Sequence, residues 1–126
     1  MKEPLWLTKA FVYALHERLI AEFGGLSGVR DEGLLESALA RPENLFAYTH
    51  PGFQKLAAAY AFGIVRNHPF LDGNKRTGFV AATVFLETNG IVVKATEIEA
   101  TSATLALASG KLSEDQFSAW LTKQTA

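Results

Sequence analysis

Two stretches of the chain carry almost no polar residue. Residues 56–65 (LAAAYAFGIV) and 79–86 (FVAATVFL) are nearly uniformly apolar, and helices that are hydrophobic all round are the buried central helices of a domain. The pattern predicts one such helix over about Phe53–Asn67 and another over about Asn74–Asn89, stopped by Gly90. The polar stretch between them is then a loop joining two core helices. Within the first, i to i+4 spacing puts Tyr60, Ile64 and then His68 on one face.

The other helices are amphipathic. Phe11, Val12, Leu15, Leu19, Ile20 and Phe23 recur on one face of a helix that starts after an N-cap at Thr8 and stops at Gly24-Gly25. His16 lies beside Leu15 with no partner implied by spacing, so it reads as a surface histidine, and Trp6 reads as packing. Asp31 caps a short second helix through Leu34, Leu35, Ala38 and Leu39 that ends before Pro42. Residues 43–52 then form a connector, with Tyr48 and His50 as loop filler. Ile91-Val92-Val93 reads as a short extended segment. Thr96-x-x-Glu99 opens a fifth helix that runs to about Ser109, and Ser113-x-x-Gln116 opens a sixth in the same way, with Phe117, Trp120 and Leu121 docked on the core. The expectation is an all-α domain of about six helices over residues 1–126, without internal repeat.

Composition narrows the function classes. The chain has 126 residues, 48% of them hydrophobic, ample for a single core. With no cysteine there is neither disulfide nor thiolate chemistry. No apolar run approaches membrane-spanning length, and the first residues lack the regions of a signal peptide, so a cytoplasmic protein is expected. A net charge of −1 and a pI near 6.3 give no electrostatic reason for direct nucleic-acid binding.

Functional groups concentrate in His68-Pro69-Phe70-Leu71-Asp72-Gly73-Asn74-Lys75-Arg76-Thr77-Gly78. Pro69 pushes His68 off helical dihedrals, which places His68 at a helix exit. Phe70 is the loop's apolar anchor. Gly73 permits a tight turn, and Asp72 or Asn74 can cap the helix that follows. Lys75 and Arg76 fall in its first turn, where the macrodipole costs each cation ~0.3–1 kcal/mol. An anion bound there reverses the sign: the unpaired N–H groups of the helix start, with both cations alongside, make a phosphate cradle. Asp72 suits Mg²⁺, which binds phosphate oxygens together with one or two carboxylates. His68 is the group whose unperturbed pKa suits a general base near neutrality. Each feature alone fits a helix end, a turn or a solvated pair of charges; together they point to nucleotide-dependent group transfer. Arg66, nearby in sequence, is an accessory candidate for a phosphate or acidic-partner contact, or a solvent-facing helix end.

The same stretch resembles the Fic motif, H-x-F-x-[DE]-G-N-G-R-x-x-R, in its Doc variant. His68, Phe70, Asp72, Gly73, Asn74 and Arg76 match; Lys75 stands where Fic adenylyltransferases have glycine, and Phe79 where they have a second arginine. Both departures are Doc-like, and Phe23-Gly24-Gly25 and Arg30-Asp31-Glu32-Gly33-Leu34-Leu35-Glu36-Ser37-Ala38 also resemble that family.

The resemblance implies the Fic fold, with ATP and Mg²⁺ as cofactors: His68 as general base, Asp72 as metal ligand, and Gly73, Asn74, Lys75 and Arg76 at the phosphates. It places a target-holding flap at residues 44–52. Doc-type proteins present the γ-phosphate, so it further implies a Ser/Thr protein kinase, with elongation factor Tu as target and translation and growth arrest as outcome, the toxin of a type II toxin-antitoxin pair. Adenylyl transfer is the alternative among enzymes, and a non-catalytic antitoxin-binding subunit the alternative outside them. Self-silencing Fic proteins carry [ST]-x-x-x-E-[GN]; the nearest stretch here, Thr83-x-x-x-Glu87, is followed by Thr88. Inhibition is therefore expected in trans, from a cognate antitoxin whose disordered segment folds into a groove. Operator contact, if any, would run only through that antitoxin.

Overall fold

Helix starts are fixed by side chains that accept from the N–H groups a helix leaves unpaired. In the computed structural model, which describes residues 3–125, α1 (Lys9–Phe23), α2 (Glu32–Thr49), α3 (Phe53–Asn67), α4 (Asn74–Thr88), α5 (Glu97–Ser109) and α6 (Glu114–Gln124) follow in order. Thr8 Oγ1 accepts from Phe11 N at 3.0 Å and Asp31 Oδ1 from Leu34 N at 3.0 Å. Thr96 with Glu99, and Ser113 with Gln116, close reciprocal capping boxes. Among the described residues there is no strand, only isolated bridges, one of which joins Val93 to Thr125. The chain is all-α, and no described helix is long and apolar enough to cross a membrane.

α3 is the centre of the core. From Leu56 to Val65 every residue but Phe62 is buried, and α2, α4, α5 and α6 pack around it. Against α4 the approach is so close that a Cβ on Gly78 would meet Val65 Cγ2 at 2.9 Å and the Ala61 carbonyl oxygen at 3.2 Å. Only glycine fits there, and the contact brings the start of α4 up to the end of α3. Burial pushes the Tyr60 phenol up to about 12, so its oxygen stays a neutral acceptor for Leu7 N at 3.0 Å. Trp6 does pack, stacking on Phe85 at 5.9 Å and meeting Phe46 edge-on at 5.7 Å.

Four local expectations are corrected. α2 does not stop before Pro42 but runs through it to Thr49. Proline breaks one backbone hydrogen bond and strains the preceding turn; here the helical period continues across it, with Leu35, Leu39, Pro42 and Phe46 all buried on one face. Residues 44–49, expected as part of a flap, are therefore helix, and only 50–52 remain between α2 and α3. On α1 the buried residues are Val12 and His16, while Phe11 and Phe23 are exposed. His16 is thus a core residue, stacked on Phe70.

Candidate active site at the start of α4

Pro69 disfavours the right-handed helical region for the residue before it, and His68 responds by turning left-handed, with φ 53°. That turn takes His68 off the buried face of Tyr60 and Ile64 on which simple helical spacing placed it, and leaves it exposed. Such a conformation is unusual for a residue with a side chain and holds only where its surroundings enforce it. Here Arg30 does so: Nε donates to the His68 carbonyl at 2.7 Å and Nη2 to the Asn67 carbonyl at 2.9 Å. A cation at a helix C-terminus is also favoured by the dipole. Residues 28–31 run antiparallel to the motif loop, with Arg30 N and Asp31 N on the Pro69 carbonyl and Leu71 N on that of Gly28. Arg30→Ala is expected to loosen the turn at His68, read as faster exchange of the His68 amide, while lowering the unfolding free energy by no more than about 1 kcal/mol. Arg30→Lys restores little, because one guanidinium fork spans two carbonyls and an ammonium does not.

The loop then folds inward at Phe70, which has no exposed surface. The buried Asn74 amide grips the Phe70 backbone on both sides, Oδ1 accepting from its N–H and Nδ2 donating to its carbonyl, each at 3.0 Å. With that side chain committed to the loop, what Asn74 presents to a ligand is its backbone N–H. Neither Asp72 nor Asn74 caps α4. The N-cap is Gly73, and no side chain caps it, because the Asp72 carboxylate is turned toward other donors. Its Oδ1 accepts from Gly73 N at 2.9 Å and its Oδ2 from Leu26 N at 3.2 Å. Gly25 leaves room for this, since a Cβ there would sit 2.8 Å from Oδ2.

Thr77 N is bonded to the Gly73 carbonyl at 3.0 Å, so the N–H groups of Asn74, Lys75 and Arg76 are those that a helix start leaves without a partner. They border a cavity of about 580 Å³, within the range of small-molecule sites. His68, Asp72, Lys75 and Arg76 line one side; Thr101 and Leu105 of α5 line the other. Among the described residues no carboxylate pairs with Lys75 or Arg76. The Arg76 guanidinium instead lies 4.0 Å from the centre of the Phe23 ring. Phe79 also lines the cavity, with its ring against Trp120 of α6. Arg66 does not line this cavity; it sits over the Phe62 ring. No group of three acidic or histidine side chains that would enclose a metal occurs among the described residues. One carboxylate beside an anion cradle does fit Mg²⁺, which draws its remaining oxygens from phosphate and water.

Sequence reasoning missed Arg30 and Leu26 as supports of the site, because their partners lie 37 and 46 positions away.

A family model described as Fic/DOC matches residues 6–86, which takes in α1 to α3, the motif and nearly all of α4. Toxin Doc of Mycolicibacterium smegmatis is 44% identical over 75 residues, 58% of each chain. Protein kinase doc of Escherichia phage P1 is 37% identical over 81 residues, 64% of each chain. The chain thus spans about 58% and 64% of the length of these relatives. The α5 wall of the cavity lies outside the residues that the family model matches.

Proposed function

The chain belongs to the Fic/DOC family, and from that membership we propose that it is an ATP-dependent protein kinase that transfers the γ-phosphate to a serine or threonine hydroxyl of a protein. The observation that carries the choice of phosphate is the pair Lys75 and Phe79. Both line the cavity, and they stand where AMP-transferring members have a glycine and an arginine. Lysine adds a cation and bulk at the helix start. Phenylalanine takes away a charge one turn further in. The cradle for a triphosphate is therefore strongest at the mouth, beside His68, and weakest toward Phe79, which suits a nucleotide lying with its terminal phosphate at the helix start.

His68 takes the proton of the target hydroxyl, worth roughly 10²–10⁴-fold in rate. The hydroxyl oxygen bonds to the γ-phosphorus, the bond from that phosphorus to the bridging oxygen breaks, and ADP leaves. Asp72 would hold Mg²⁺, which would supply charge neutralisation at the phosphate oxygens. Lys75, Arg76 and the N–H groups of residues 74–76 neutralise the rest; phosphoryl transfer rests mostly on such positioning and charge stabilisation.

The relatives, one named a toxin and the other a protein kinase, support reading the protein as a toxin; in this reading it is the toxin of a type II pair and works in the cytoplasm. Its target would be elongation factor Tu and its inhibitor a cognate antitoxin acting in trans. Lys75→Gly combined with Phe79→Arg is expected to cut γ-phosphoryl transfer by roughly 10²-fold, the scale of losing one charge-stabilising donor, as read by mass spectrometry of the target. An unchanged rate of phosphate addition in that variant would mean that these residues do not set the nucleotide's direction.

A further inference from the structure

We propose that His16, on α1, is a positioning residue for Asp72: it fixes the backbone that carries the metal-binding carboxylate. The inference deepens the kinase reading of the same site and rests on it only for the metal. His16 is 1% exposed, and it and Val12 are the buried residues of α1. Its Nε2 lies 2.8 Å from the Asp72 carbonyl oxygen. A carbonyl oxygen only accepts, so Nε2 must carry the hydrogen. Nδ1 faces away, with Glu17 Oε1 at 3.9 Å. The imidazole plane is stacked on the Phe70 ring, centroids 3.8 Å apart and planes 6° from parallel. Its edge also closes on Gly73, where a Cβ would lie 3.8 Å from Nε2. One ring thus touches both Phe70 and Asp72.

The rest of the support comes from the segment that follows the same helix. Leu26 N donates to Asp72 Oδ2, and Gly25 is kept bare of a side chain by that oxygen. α1 and the turn after it therefore hold Asp72 twice, His16 by its backbone and Leu26 by its carboxylate. Nothing in α3 or α4 duplicates the first of these contacts, because the carbonyl of Asp72 precedes the N-cap of α4 and is not one of its intrahelical acceptors. Loss of the imidazole would leave that carbonyl without its side-chain donor, and the carboxylate less firmly placed.

The test is amide hydrogen exchange of Leu26 and Gly73, the two N–H groups bonded to the Asp72 carboxylate. In His16→Ala their exchange is expected to rise at least about tenfold more than that of core amides such as those of Ile64 and Leu107, which report global stability. His16→Gln, whose side-chain amide can donate to the same carbonyl, is expected to restore most of the protection. In parallel, the Mg²⁺ concentration for half-maximal γ-phosphoryl transfer rises in His16→Ala more than the rate at saturating Mg²⁺ falls. A rise shared equally by the core amides, or no rise at Leu26 and Gly73, would make His16 a packing residue only. Nitrogen NMR of the unaltered protein gives a second readout that needs no variant: hydrogen on Nδ1 with Nε2 bare would overturn the proposal. If the protein transferred no phosphate at all, the kinase reading would fail while the exchange and NMR results would still decide the placement of Asp72.

Discussion

His68→Ala is expected to lower phosphate transfer to the protein target by roughly 10²–10⁴-fold and to abolish growth arrest on expression, with the melting temperature unchanged. The second half follows from how His68 is held. Its hydrogen bonds to the fold run through its backbone, N–H to the Ile64 carbonyl at 3.1 Å and carbonyl from Arg30 Nε at 2.7 Å. Truncation at Cβ leaves both in place. It removes an exposed ring that faces the cavity, and exposed substitutions away from packing features cost little stability. A fall in activity accompanied by a large fall in melting temperature would point to misfolding instead of chemistry. Activity and toxicity that both survive would remove the general base from the mechanism and favour a non-catalytic, antitoxin-binding role.

Phe70→Ala is expected to be among the most damaging single changes to the fold, lowering unfolding free energy by about 3–5 kcal/mol out of the roughly 5–15 kcal/mol that a domain has. Phe70 has no exposed surface, its ring stacks on His16, and both of its backbone polar groups are bonded to Asn74. Because Asn74 holds both backbone polar groups of Phe70 in place, the cavity left behind closes only in part. Denaturant titration measures the loss, and Phe70→Leu should recover more than half of it. A loss below about 1 kcal/mol for alanine would mean that Asn74 and Arg30 hold the loop without the ring.

What was legible in the sequence was local. Thr8, Asp31, Thr96 and Ser113 cap helices because a short polar side chain meets an N–H two or three positions on, a relation that spacing alone displays. The two buried helices and the loop between them announced themselves by the absence of polar residues. What stayed hidden depended on contacts between distant residues. Proline at 42 looked like a stop because its cost is local, whereas what outweighs it is burial of Leu35, Leu39 and Phe46 against the rest of the domain. His16 looked like a surface residue because its partner is 56 positions away. Asp72 and Asn74 both read as caps because caps are near neighbours, yet Asn74 bonds Phe70 and one Asp72 oxygen is taken by Leu26, 46 positions back. The motif's residue types were visible at once. The scaffold that aims them was not.

The central claim is that the γ-phosphate moves. It is tested by incubating the purified protein with Mg²⁺ and elongation factor Tu and supplying ATP labelled in parallel at the α or the γ position. Label on the target from the γ position alone is the expected result, matching a cradle in which Lys75 fills the place of a glycine and Phe79 that of an arginine. Label from the α position would contradict it and make the protein an adenylyltransferase.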